Sequence, residues 1–139
     1  RPAQDAVPVT AKSAYNQRLI EPAHGSANVF NLTQAEEHRV DVYHYQQRIG
    51  RLYLRVMSEG DVFFVQFSNV AYIEAPSNWR GATFATASQA DFAAFIQARG
   101  ISVNSLRVDV MRLYLLEGET TVRIIASTAQ ILDDLPSHI

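Results

Sequence analysis

The period of the hydrophobic positions changes several times along this chain, and each change marks an element. From Val40 apolar and polar residues alternate, with Val40 and Val42 on one side and Asp41, Tyr43 and Tyr45 on the other, the two-residue period of a half-buried strand. Gln46 to Gly50 is polar and closes on glycine, which suits a turn. Alternation then resumes with Leu52, Leu54 and Val56 opposite Arg51, Tyr53, Arg55 and Met57. Ser58-Glu59-Gly60-Asp61 reads as a hairpin connection, because its glycine supplies the positive φ that such loops need. The next run, Val62 to Ser68, is apolar on both sides through Phe63, Phe64, Val65 and Phe67, which predicts a strand at the centre of a sheet with both faces covered. Val70 to Ile73 continues extended, and Pro76 and Ser77-Asn78 lead into a polar loop that carries Trp79-Arg80-Gly81.

After a short predicted strand over 82–87, the period switches to that of a helix. Phe92, Phe95 and Ile96 share one stripe at i, i+3, i+4 spacing, Ser88 stands at the N-cap three residues before Asp91, and Gly100 stands where a left-handed terminator belongs. This predicts one main amphipathic helix over 88–99. Leu106 to Leu116 then reads as a long extended segment, Glu117-Gly118-Glu119-Thr120 as a turn, and Thr121 to Ala126 as its antiparallel partner, with Val122 and Ile124 on one face and Arg123 and Ile125 on the other. Two capping-box patterns predict shorter helices. One, Thr33-Gln34-Ala35-Glu36, opens one or two turns before Val40; the other, Ser127-Thr128-Ala129-Gln130, opens a terminal helix with Ile131, Leu132 and Leu135 on its apolar side.

Residues 1–28 have no sustained period and hold three prolines and Gly25, so they read as an extended arm or linker preceding a single domain over 29–139. The sum is an α+β domain: a mostly antiparallel sheet, packed by the helix over 88–99 and preceded by the arm. At 139 residues and 47% hydrophobic, the chain has enough apolar content for a core of its own. A start at Arg1 suggests a processed or excised piece, which leaves the compartment open.

Charge narrows the partners. With 12 basic and 14 acidic side chains the net charge of −2 supplies no global field for nucleic acid or an anionic membrane, and no apolar run is long enough to span one. The chain has no cysteine, so disulfides, thiolate metal sites and thiol redox chemistry are excluded. The four histidines include no close pair, and the six glycines stand singly, without a nucleophile elbow or a phosphate-binding loop. No cofactor and no metal site are expected.

Two stretches carry the remaining chemistry. If the strands around Tyr43 and Tyr53 pair, then Tyr43, Tyr45, Arg51, Tyr53 and Arg55 form an arginine and tyrosine face. Such a face suits a protein partner or a second copy of the chain, or equally a ladder beneath the arm. Single-stranded nucleic acid ranks below these because of the acidic balance. The segment from Glu74 to Gly81 offers an acid, an amide, an indole and a guanidinium through Glu74, Asn78, Trp79 and Arg80. Those groups suit a small ligand in a pocket between helix and sheet, unless Trp79 plugs the core and Arg80 pairs with an acid. The first reading is a non-enzymatic interaction module; the alternative is a small enzyme or small-ligand binder.

Overall fold

The structure, a computed structural model, describes the backbone of residues 18–20 and residues 22–102 and 109–137 in full. The strands are β1 (Arg18–Ile20), β2 (Arg39–Gln46), β3 (Arg51–Ser58), β4 (Asp61–Ser68), β5 (Tyr72–Glu74), β6 (Asn78–Arg80), β7 (Ala85–Thr86), β8 (Arg112–Leu116), β9 (Val122–Ala126) and β10 (Thr128–Leu132), with the helix α1 (Gln89–Arg99) between β7 and β8. They build two sheets: six strands in the order β1-β10-β4-β3-β2-β6, and four in the order β5-β9-β8-β7. Every pairing among the described residues is antiparallel. The predicted α+β class therefore holds, with the strands divided between two sheets.

Alternation assigns each strand face. Leu52, Leu54 and Val56 of β3 and Phe63, Val65 and Phe67 of β4 meet Tyr114 and Leu116 of β8 and Val122, Ile124 and Ala126 of β9 in one core between the sheets. Phe67 lies at its middle, edge-on to Phe30, Phe84 and Tyr114, an arrangement that suits the ring quadrupoles. The opposite faces of β8 and β9 send Leu113 and Ile125 into a second cluster with Phe92 and Ile96 of α1. The order of layers is thus α1, small sheet, large sheet. Burying each such side chain contributes about 1.5–3 kcal/mol.

The chain changes sheets at a shared corner. Ser127 alone separates β9 from β10, and Asn69 to Ala71 separate β4 from β5. Ser68 O accepts both the Ser127 amide (3.0 Å) and the Ser127 hydroxyl (3.2 Å), and Asn69 Nδ2 donates to Ser127 Oγ (2.8 Å). Gly50 completes the corner at φ 63, since a Cβ there would stand 3.1 Å from Val70 N.

Helix α1 has the predicted ends. Ser88 Oγ accepts the Asp91 amide at 3.1 Å, and Gly100 is left-handed at φ 67 while Ile101 N–H closes back on Ile96 O at 3.1 Å. The predicted terminal helix is instead strand β10. Its residues pair with β4 from Thr128↔Ser68 to Leu132↔Phe64, and without them β4 would leave the amides and carbonyls of one edge unpaired. The capping box at Thr33 does not form either. Gln34 is left-handed at φ 53, no side chain caps the 3₁₀ turn Ala35–Glu37, and Ala35 O accepts the amide of Ala82 at 2.8 Å. The strand expected over 82–87 shrinks to Ala85–Thr86. The extended segment expected over 106–116 is a strand from Arg112; its residues 106–108 lie outside the described part.

The described part of the expected arm is bonded to the body. β1 pairs with β10, and Thr86 ties down the chain beside it by accepting the Ser26 amide (2.8 Å) and donating to Ala23 O (2.7 Å). Among the described residues no helix is long and apolar enough to cross a membrane.

Candidate functional site

The pairing that would unite tyrosines and arginines does form, but with a bulge. β2 and β3 run in register from Arg39↔Met57 to Val42↔Leu54, then slip so that His44 faces Tyr53 and Tyr45 faces Leu52. The extra residue is Tyr43, and a bulge of this kind turns successive side chains toward one face. Tyr43 therefore lies on the outer face of the large sheet, where its ring meets Phe64 edge-on at 5.5 Å and carries the Arg55 guanidinium 5.3 Å from its centroid. Arg55 in turn donates from Nε (3.2 Å) and Nη2 (2.7 Å) to the two carboxylate oxygens of Asp41, its partner across the strands. Tyr43 is 46% exposed and Val62, two residues before Phe64 on the same face, is 41% exposed, whereas Phe64 is 8% exposed.

The slip revises the predicted face. Tyr45 stands opposite Leu52, whose side chain enters the core, so it belongs to the inner side at the sheet's end and does not join Tyr43. Tyr53 is fully buried at 0% exposure, flanked by His44 on β2 and Gln66 on β4, so it presents no surface. Arg51 is paired with Gln46 at the start of β3 and is half-buried. Of the five predicted residues the structure brings Tyr43 and Arg55 together, and it adds Asp41, Phe64 and Val62.

The groups from Glu74 to Gly81 diverge. Trp79 pairs with Val40 from β6, is 4% exposed within the core between the sheets, and donates its indole N–H to Gly81 O at 2.8 Å; it is the plug that was the alternative reading. Asn78 and Arg80, its neighbours on β6, are exposed. Glu74 lies on the other sheet at the end of β5. There its carboxylate accepts from Tyr72 Oη (2.7 Å), from Arg99 Nε and Nη2 of α1 (3.1–3.2 Å) and from Arg123 Nη1 of β9 (2.7 Å). These bonds, first that of the Tyr72 hydroxyl and then those of the arginines, hold the Glu74 carboxyl below its ordinary pKa against the opposing cost of partial burial. Both guanidiniums lie over the Phe95 ring, that of Arg99 4.9 Å and that of Arg123 5.5 Å from its centroid, and the ring meets Tyr72 edge-on at 5.6 Å. Arg99 and Arg123, drawn from an element 25 and another 49 residues away from Glu74, were not singled out in the sequence. The only local signal was that Arg123 shares its strand face with Ile125.

A cavity of about 290 Å³ does adjoin Arg80 and Gly81, but it is lined by Glu36, Thr83 and the β8–β9 turn and by no residue of α1, where a pocket between helix and sheet was expected. At the other end of β8, a hollow of about 670 Å³ lies between residues 47–50, the sheet-switching corner and Met111. His38 is buried near the end of the core with its ring edge-on to Phe63, and burial lowers its pKa. Among the described residues no group of three His, Asp or Glu side chains is placed to hold a metal ion. Compared with protein-family models, curated proteins and solved structures, the chain matches none, and the geometry alone carries the functional reading.

Proposed function

We propose that the chain is a non-enzymatic interaction module that docks a protein partner, or a second copy of itself, on the outer face of its large sheet. The observation that carries this reading is Tyr43: a tyrosine left 46% exposed yet braced by Phe64 below and Arg55 beside it. A braced aromatic loses little conformational freedom on binding and brings a large apolar area with a polar tip, the character of interface hot spots. Asp41 neutralises Arg55, so the patch adds no net charge to be desolvated. The test is Tyr43→Ala with Val62→Asp, both at exposed positions. Sedimentation of the wild-type chain distinguishes self-association from a separate partner, and recovery of cross-linked species by tagged bait follows either one. The double variant, folded by circular dichroism, is expected to lose the species that the wild type forms. Equal recovery from both chains sinks the reading.

The cavity beside Arg80 favours a second reading, a small-ligand binder using that guanidinium. Under it a small-molecule screen by thermal shift yields a ligand whose stabilisation disappears in Arg80→Ala, and a hit that is indifferent to Arg80 removes it.

A further inference from the structure

We propose that Arg99 and Arg123 form a binding site for a phosphate group, either inorganic phosphate or a phosphate monoester. Glu74 bridges the two guanidiniums, and its capacity is used up. It accepts from Tyr72 Oη, Arg99 Nε, Arg99 Nη2 through both oxygens, and Arg123 Nη1, against the roughly four lone-pair sites of a carboxylate. The arginines are not used up. The Tyr72 hydroxyl also engages the Arg99 guanidinium and, ahead of Glu74, raises its pKa; Arg99 Nη1 and Arg123 Nε and Nη2 still make no further hydrogen bond among the described residues, and the side chains keep 41% and 26% of their exposure. One carboxylate against two guanidiniums leaves a local charge of +1.

The surplus is also held in place. Each guanidinium is tethered to Glu74 and carried over the face of Phe95, which Tyr72 braces from its edge. The open donors lie on two separate planar forks. A carboxylate, with two oxygens, fills one fork in bidentate fashion; a phosphate, with three terminal oxygens and up to two charges, engages both at once. The site rests on two elements of the small-sheet side, α1 and β9, and is independent of the Tyr43 face.

The measurement is a titration of the arginine Nε–Hε resonances of the ¹⁵N-labelled chain with inorganic phosphate, O-phosphoserine and acetate in turn, at constant ionic strength. Saturable shifts of Arg99 and Arg123 by phosphate are expected, with Arg48, an exposed arginine of the β2–β3 turn, staying unmoved. A monoester site shows tighter binding of O-phosphoserine than of inorganic phosphate, and an inorganic-phosphate site shows the reverse. Arg99→Lys keeps the charge and removes the fork, so its affinity should fall several-fold. Shifts at the pair no larger than at Arg48, equal binding of acetate, or unchanged affinity in Arg99→Lys would each overturn the assignment.

Discussion

The two outer faces of this molecule repeat one arrangement with different stoichiometry. On the large sheet one carboxylate, Asp41, meets one arginine, Arg55, and that guanidinium lies over Tyr43, which Phe64 supports. Beside the small sheet one carboxylate, Glu74, meets two arginines, Arg99 and Arg123, and both lie over Phe95, which Tyr72 supports. In the first set charge is balanced and the aromatic is the exposed member, so contact through apolar area is favoured. In the second the aromatic is the half-buried member and unspent positive charge faces water, so an anion is favoured. Exposed ion pairs contribute little to stability, and the difference between the sets bears more on what they attract than on how they hold the fold.

The largest expected effect is at Phe92. This ring, fully buried in the cluster that joins α1 to the small sheet, is expected to cost about 3–5 kcal/mol on replacement by alanine, read as a lowered urea midpoint. Because Phe95 and Arg99 ride on the same helix, Phe92→Ala should also scatter the Arg99 and Arg123 resonances while leaving those of Tyr43 in place. A uniform change on both faces would show that the layers are not separable in this way.

Acid has a smaller effect, on the small-sheet side. The Glu74 carboxyl has its pKa lowered from an ordinary 4.5, chiefly by the Tyr72 hydroxyl and then by the arginines, so the folded state binds that proton less readily than the unfolded one. Its contribution to stability is complete above about pH 4.5 and is lost as pH falls through the lowered folded value. Thermal melts of the wild type and Glu74→Gln should therefore differ most near neutrality and converge on acidification. A gap that persists undiminished at low pH would mean that the cluster is not held by the carboxylate.

The helix over 88–99, the alternation of β3, the central character of β4 and the β8–β9 hairpin were legible because each rests on contacts between near neighbours: a cap three residues away, a stripe every three to four, a period of two. The terminal strand was not. Ser127 to Leu132 carries a helix-start pattern, yet the open edge of β4, more than 50 residues earlier, supplies hydrogen bonds that the local pattern does not count. The candidate sites divide in the same way. Tyr43 and Arg55 were found because strands pair across a short turn, while the bulge that removes Tyr45 and the burial of Tyr53 depend on register with both neighbouring strands. Glu74 was singled out for its neighbours in sequence, Asn78 to Arg80, and its real partners come from α1 and β9.

The α+β class, the main helix with both its ends, the hairpins and the absence of cysteine chemistry follow from the residue order alone, since periodicity and capping are local and composition needs no fold. That the strands form two sheets, that Trp79 enters the core, and that one carboxylate faces one arginine on one side and two on the other emerge in the folded chain alone. Those outcomes depend on which distant segments pack together, and a hydrogen bond or an ion pair depends on distance in space, which spacing along the chain does not set.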